Sequence, residues 1–272
     1  MLETPNNLNN RRHTRRASII IFGDGFYKFY INNPKKNSKE LYLYGKHVVK
    51  LALQNPRRQI KEIFATKETL AQVNIPKTLN IHPADKKFLE TLVGQGAVHQ
   101  GIVAKCEPLP PVDLQNFMSS IKKSEKALIL ILDQVTDPHN VGAIMRSAVA
   151  FNAAAVIVPE AGAPNESGTL AKSASGATEL IPLIRVSNLA HTMDLLKKAE
   201  FWCVGLDGYA KDYITDHKLP KKCVLILGAE DGMRRLTMEK CDMVVKLPIN
   251  PAIESLNVSN AAAVAMYEWN RG

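Results

Sequence analysis

Three short segments carry the side chains able to do chemistry. The first, residues 132–142, brings Asp133, Thr136, Asp137, His139 and Asn140 to the start of a helical stretch that bears Arg146. Asn140 is a suitable N-cap, Gly142 allows close backbone approach, and Arg146 then lies about one and a half turns in. A phosphate or carboxylate would settle near that positive helix end. A capped helix with a solvated arginine accounts for the same residues. The second segment, 227–235, sets Gly228 and Gly232 around Glu230 and Asp231. That pattern suits a ligand with hydroxyls or an amine, and equally a plain glycine turn. The third, 247–260, gathers Ser255, Asn257 and Ser259 before the last helix, more short hydrogen-bonding groups than one cap requires.

Each segment follows an apolar run. Runs at 127–132, 155–158, 201–206, 223–227 and 243–247 read as buried strands, with helices predicted over 141–151, 167–174, 189–199 and 258–269. Continuous apolar strands alternating with helices indicate an α/β domain with a parallel sheet covered on both faces. Such sheets bind ligands at the carboxyl ends of their strands, where all three segments lie. Upstream, strands at 41–44, 60–65 and 98–104 and helices at 46–53, 67–72 and 85–92 form a small α/β module over 41–106. Pro108, Pro110 and Pro111 open a linker over 107–122, which includes a helical stretch at 114–121, and the larger domain fills 123–272.

The chain has 35 Lys and Arg against 26 Asp and Glu, a net charge of +9. More than half of that excess falls in residues 1–40, an Asn- and Arg-rich stretch without sustained periodicity that reads as a flexible basic extension. Such a balance suits a polyanion, RNA or DNA above all, or a solvated tail with no partner. No stretch approaches the roughly 18 apolar residues of a membrane span, and Ile19–Phe22, cut by Gly23 and Asp24, is too short for a signal-peptide core. Cys106, Cys203, Cys223 and Cys241 lie far apart in sequence, so no metal site is expected, and Cys203 and Cys223 read as core thiols of a reducing compartment. The cytoplasm is expected. Arginines with few acids also fit a mitochondrial presequence, against which the many Asn and scarce Ser weigh. The chain lacks G-x-G-x-x-G and the P-loop pattern, so a dinucleotide site or an NTPase has no support.

Asn140-Val141-Gly142-Ala143-Ile144-Met145-Arg146, then Gly228-Ala229-Glu230, then Ser255-Leu256-Asn257-Val258-Ser259 resemble in order the three motifs of the SpoU/TrmH (SPOUT) family of RNA ribose 2′-O-methyltransferases. Tyr44-Gly45-Lys46-His47-Val48-Val49 and His99-Gln100-Gly101-Ile102 resemble the ribosomal-protein-like RNA-binding domain of the branch acting on a guanosine of large-subunit rRNA. Together these matches span about 225 of the 272 residues. The resemblance implies a trefoil-knotted α/β fold, a homodimer, an RNA substrate and S-adenosylmethionine (AdoMet) as methyl donor, with no metal. It places the donor against backbone at Gly228, Leu247 and Leu256. It implies a catalytic set of Arg146, Glu230, Asn257, Ser255 and Asn140. We assign Arg146 to the target nucleotide's phosphate and hydroxyl, because a guanidinium hardly deprotonates in proteins. Lys46, Arg57 and Arg58 are candidates for phosphate contacts, solvated surface charge being the alternative. The second motif, Gly228 to Gly232, is one residue shorter than the family's usual G-x-E-x-x-G, and Asn250-Pro251 replaces the usual small or sulfur-containing residues. Two other functions use the same scaffold: methylation of tRNA ribose, and non-catalytic RNA binding in ribosome assembly.

Overall fold

A computed structural model describes residues 40–272 together with the backbone of 18–22 and 25–29. In chain order its elements are β1 (Ser18–Phe22), β2 (Gly25–Phe29), β3 (Leu41–Tyr44), α1 (Lys46–Gln54), β4 (Ile60–Ala65), α2 (Lys67–Leu70), β5 (Asn80–Pro83), α3 (Lys86–Val93), β6 (Ile102–Cys106), α4 (Leu114–Ile121), β7 (Ala127–Leu132) and α5 (Pro138–Ala150). There follow β8 (Ala155–Pro159), α6 (Gly168–Ser173), β9 (Leu183–Val186), α7 (Leu189–Lys198), β10 (Trp202–Leu206), β11 (Asp212–Tyr213), β12 (Lys222–Leu227), α8 (Arg235–Glu239), β13 (Met243–Lys246) and α9 (Val258–Arg271). Single 3₁₀ turns cover Ala177–Glu179 and Ile214–Asp216.

The basic extension falls largely outside the described residues. Within it, β1 and β2 pair antiparallel with Phe22 opposite Gly25, so Gly23 and Asp24 fall between them in sequence. Aromatic and β-branched residues around that Gly-Asp pair supply the hairpin propensity that a search for longer periodicity passes over.

The small unit is a four-stranded sheet in the order β3-β6-β4-β5. Its last predicted strand starts four residues late, at Ile102, because Gln100 (φ +55°) and Gly101 (φ +80°) both take left-handed backbone. His99 Nδ1 accepts from the Gly101 amide and closes that turn. The edge strand β5 has no buried residue, hence no apolar pattern by which sequence would show it.

The large unit is a seven-stranded sheet in the order β11-β13-β10-β12-β7-β8-β9, every pair parallel. All six residues of β7 are buried, as a strand covered on both faces requires. One face packs α5, α6 and α9 through Ile144, Met145, Leu170, Ala265 and Met266. The other packs α4 and α7 through Phe117, Ile121, Met193 and Leu196. So α4 belongs to this sheet's core, and the connection proper is the proline-rich 107–112. The chain lays down β7, β8 and β9 outward in one direction, then places β10 on the far side of the position later filled by β12. The order reverses between β7 and β12. Helix α9 contacts both β12 and the Ile214–Asp216 turn, and the Trp269 indole donates to the Pro220 carbonyl at 2.9 Å. No helix among the described residues is long and apolar enough to cross a membrane.

The two units meet through a buried ionic cluster. The Arg58 side chain has no exposure and donates to Glu179 (2.6 Å), to Glu166, and to the Glu107 carbonyl (2.8 Å). Asn55 also donates to Glu179 (2.8 Å), and Glu166 accepts from the Leu109 amide at the start of the connection (2.9 Å). Burial alone would weaken this base, but the two carboxylates outweigh it and hold its pKa above the ordinary guanidinium value. Arg58 therefore is not the phosphate contact expected of it. Arg57 is half-buried and its basicity is lowered, burial being the largest cause. Lys46 remains on the surface, bonded to Gln72.

Two outcomes follow. Arg58→Ala strands two carboxylates and should cost about 3–5 kcal/mol in urea denaturation, with an earlier separate transition for the small unit. Burial pushes the thiols of Cys106, Cys203 and Cys241 up to about 12 and raises Cys223 as well. At pH 8 a disulfide reagent should therefore label the folded chain orders of magnitude more slowly than the denatured one.

Candidate active site

The strand order reverses between β7 and β12, and open parallel sheets take ligands at the carboxyl ends of strands at such a point. The first predicted segment leaves β7 there. Its helix begins earlier than the sequence suggests: Asp137 is the N-cap, accepting from the His139 amide at 2.9 Å, and Pro138 takes the first helical position. Asn140 is thus inside the first turn and not the cap. Arg146 lies about two and a half turns in, too far for the positive helix end to act on its ligand. It is exposed and makes no side-chain hydrogen bond or ion pair among the described residues. Gly142 does serve close approach, toward α6: a methyl there would sit 2.7 Å from the Leu170 carbonyl and from Ser173 Cβ.

The second segment leaves β12 as a closed turn, with the Gly232 amide donating to the Ala229 carbonyl at 2.9 Å. Gly232 takes φ +87°, which few other residues tolerate. Gly228 folds so tightly beneath it that a methyl would overlap the Gly232 carbonyl and the Met233 amide. Glu230 and Asp231 stand at the exposed tip.

Cross-links hold the segments together. Asp133, with no side-chain exposure, accepts from the Arg234 amide (2.9 Å) and from Arg234 Nε (2.7 Å), joining the first segment to the second. Asn257 caps α9, accepting from Ser259, and its Nδ2 donates to Asn140 Oδ1 at 3.1 Å, joining the third to the first. The end of β10 lies between the other two: methyls at Gly232 and Gly208 would touch the Asp207 carboxylate at 3.5 Å and the Glu254 carbonyl at 3.6 Å. The three segments thus border one site.

Of the expected residues, Asn140 and Asn257 meet directly. Glu230, Ser255 and Arg146 are exposed and form no hydrogen bond or ion pair with one another. Leu256 is exposed and Leu247 half-buried, beside an exposed Ile253, so apolar side chains and turn backbone line the third segment. The sequence reading assigned no role to Asp133, although an aspartate ending a run of buried apolar residues is a charge that must find a partner. It missed Gln134 as well, which sits next to Asp133 in left-handed backbone (φ +64°).

Comparison with known proteins gives the family. Residues 127–267 match the SpoU rRNA Methylase family, and residues 42–112 match the RNA 2′-O ribose methyltransferase substrate-binding domain. The chain belongs to the SpoU rRNA methylase family. It is 42% identical over 191 residues to the 23S rRNA (guanosine-2′-O-)-methyltransferase RlmB of Photobacterium profundum, covering 70% of this chain and 78% of that one. With RlmB of Escherichia coli K12 it shares 41% over 189 residues, 69% and 77% of the two chains. Its fold is that of the SpoU methyltransferase AviRb of Streptomyces viridochromogenes, solved in complex with AdoMet, at TM-score 0.71 and 24% identity, covering 85% and 89% of the two chains. The AdoMet-bound rRNA methyltransferase of Sinorhizobium meliloti gives TM-score 0.70 at 22% identity over 85% and 87%.

Gly228→Ala should spread the second segment and weaken ligand binding at this site by at least about ten-fold, while the sheet beneath stays folded. Calorimetric titration with AdoMet, beside circular dichroism, checks both halves.

Proposed function

We propose that this chain transfers a methyl group from AdoMet to the ribose 2′-hydroxyl of a guanosine in large-subunit rRNA, acting as a homodimer in the cytoplasm. The cross-linking of the three motif segments beside the β7/β12 reversal carries the reading. The residues present fit such a donor. Leu247, Ile253 and Leu256 offer apolar surface for a purine, and the turn at Gly228, too tight for a side chain, would bring backbone beside it. When bound, the donor's sulfonium supplies a methyl already activated for transfer to oxygen.

What the chain adds is mostly placement, which can remove several kcal/mol of barrier. A guanidinium hardly deprotonates in proteins, so Arg146 is not the base. It holds the target nucleotide's phosphate, and that phosphate takes the proton leaving the 2′-oxygen. Its lack of a partner among the described residues suits a residue offered across a dimer to the second copy's site. Val264 and Tyr267 of α9, 45% and 56% exposed, give apolar surface for that copy. Asn257, held by Asn140, fixes the third segment, while Glu230 and Ser255 face the substrate. The 42–112 domain match and the net charge of +9 favour an RNA bound well beyond the target nucleotide.

Incubation with labelled AdoMet and rRNA should give transfer to a guanosine 2′-oxygen. Arg146→Ala should lower turnover by about a thousand-fold or more while leaving donor affinity within about two-fold. Near-normal turnover in that variant would remove Arg146 from the mechanism, and transfer to tRNA alone would overturn the substrate.

A further inference from the structure

Lys172, near the end of α6, sits at the seam between the two units, and its surroundings differ from those of the other seam cation. Arg58 is neutralised by two carboxylates. Lys172 Nζ donates to a neutral oxygen, Gln100 Oε1, at 3.1 Å, and among the described residues no carboxylate stands within ion-pair distance. Its basicity is lowered, and desolvation is the cause. A methyl on Gly45 would lie 2.6 Å from the ammonium, so the small unit's backbone crowds it closely. An ammonium at the edge of solvent with one neutral acceptor and no carboxylate beside it keeps donors free for an anion from outside.

The neighbours give that anion a direction. Gln100 is held in left-handed backbone (φ +55°), and its Oε1 also accepts from the Lys46 amide at 3.1 Å. Strain of this kind in a non-glycine residue persists where the surroundings enforce it. Lys46, His47 and Lys50 line an open cleft on the side of α1 beyond. In the other direction, Ser173 follows Lys172 and its Oγ is 3.0 Å from His139 Nδ1 in the first turn of α5. Asn140 comes next and receives Asn257. Polar groups therefore step from the small unit, over α6, to the motif segments, and the Arg58 cluster fixes the width of the seam they cross.

We propose that the seam is a preformed phosphate site in which Lys172, oriented by Gln100, grips the RNA backbone between the part bound by the 42–112 domain and the nucleotide being methylated. This deepens the functional reading above and rests on it for the identity of the polyanion. A phosphate oxygen becomes the ammonium's missing acceptor, and Gln100 keeps the lysine from folding back along α6.

The test uses the full-length protein and fragments of large-subunit rRNA, with affinity followed by fluorescence anisotropy over a range of salt and methyl transfer assayed on the same RNA. Lys172→Met keeps the length of the side chain and removes its charge. It should weaken RNA binding about ten-fold at low salt and reduce the slope of log Kd against log salt by just under one, the loss of one phosphate contact. AdoMet affinity and kcat at saturating RNA should stay within about two-fold, and Lys172→Arg should restore both affinity and slope. An unchanged slope in Lys172→Met, or a charge-retaining variant as weak as the neutral one, would overturn the proposal. An RNA slope that depends on Lys172 in a protein that methylates no RNA would leave the seam standing and sink the enzymatic reading instead.

Discussion

The site depends on a buried aspartate. Asp133 directly follows a strand whose six residues are all apolar and buried, and it is itself buried, so its carboxylate has no water to turn to and must be met by protein donors. Arg234 meets it twice, through its backbone amide and through its guanidinium. The arginine side chain is half exposed, so the Coulombic part of the pair is screened. The backbone bond is the more consequential one. It ties the turn after β12 to the strand end of β7, across the point where the sheet order reverses. Without it the two connections would diverge, as connections at a switch point do, and Glu230 would have no fixed relation to Asn140.

The Arg58 cluster does at the scale of domains what Asp133 does at the scale of loops. A proline-rich connection between two folded units would ordinarily let them swing. Here its first residues are held, Glu107 by the guanidinium and Leu109 by Glu166. Helix α6 completes the junction. Its Ala171 is buried in the small unit's core, while Leu170, the residue before it, is buried in the large one's. An RNA bound by one unit is therefore presented to the other at a set distance, which a methyl transfer needing alignment can exploit.

Much of this was legible in the sequence, for identifiable reasons. The buried parallel strands announce themselves as apolar runs, and β7 and β12 lie within a residue of their expected bounds. Elements that lack that signature escaped: β5 has no buried residue and β11 has two residues in all. The helix start at Asp137 was misjudged because Asn140 is an equally good cap by type, and Asp-Pro, the better start signal, stood three residues earlier. Arg58 was misread for a deeper reason. Nothing local distinguishes an arginine bound for solvent from one whose partners, Glu166 and Glu179, lie more than a hundred residues away. The motif residues were recognisable, whereas the cross-links that gather them, Asp133 to Arg234 and Asn140 to Asn257, belong to the tertiary fold.

The central claim is that segments 133–140, 228–234 and 247–257 enclose a single ligand. Hydrogen–deuterium exchange of the whole protein with and without AdoMet tests it most directly, because each segment contributes its own peptides. Simultaneous slowing of exchange in all three, with a common dependence on AdoMet concentration, is the predicted result. Protection confined to one segment, or appearing only elsewhere in the chain, would contradict it.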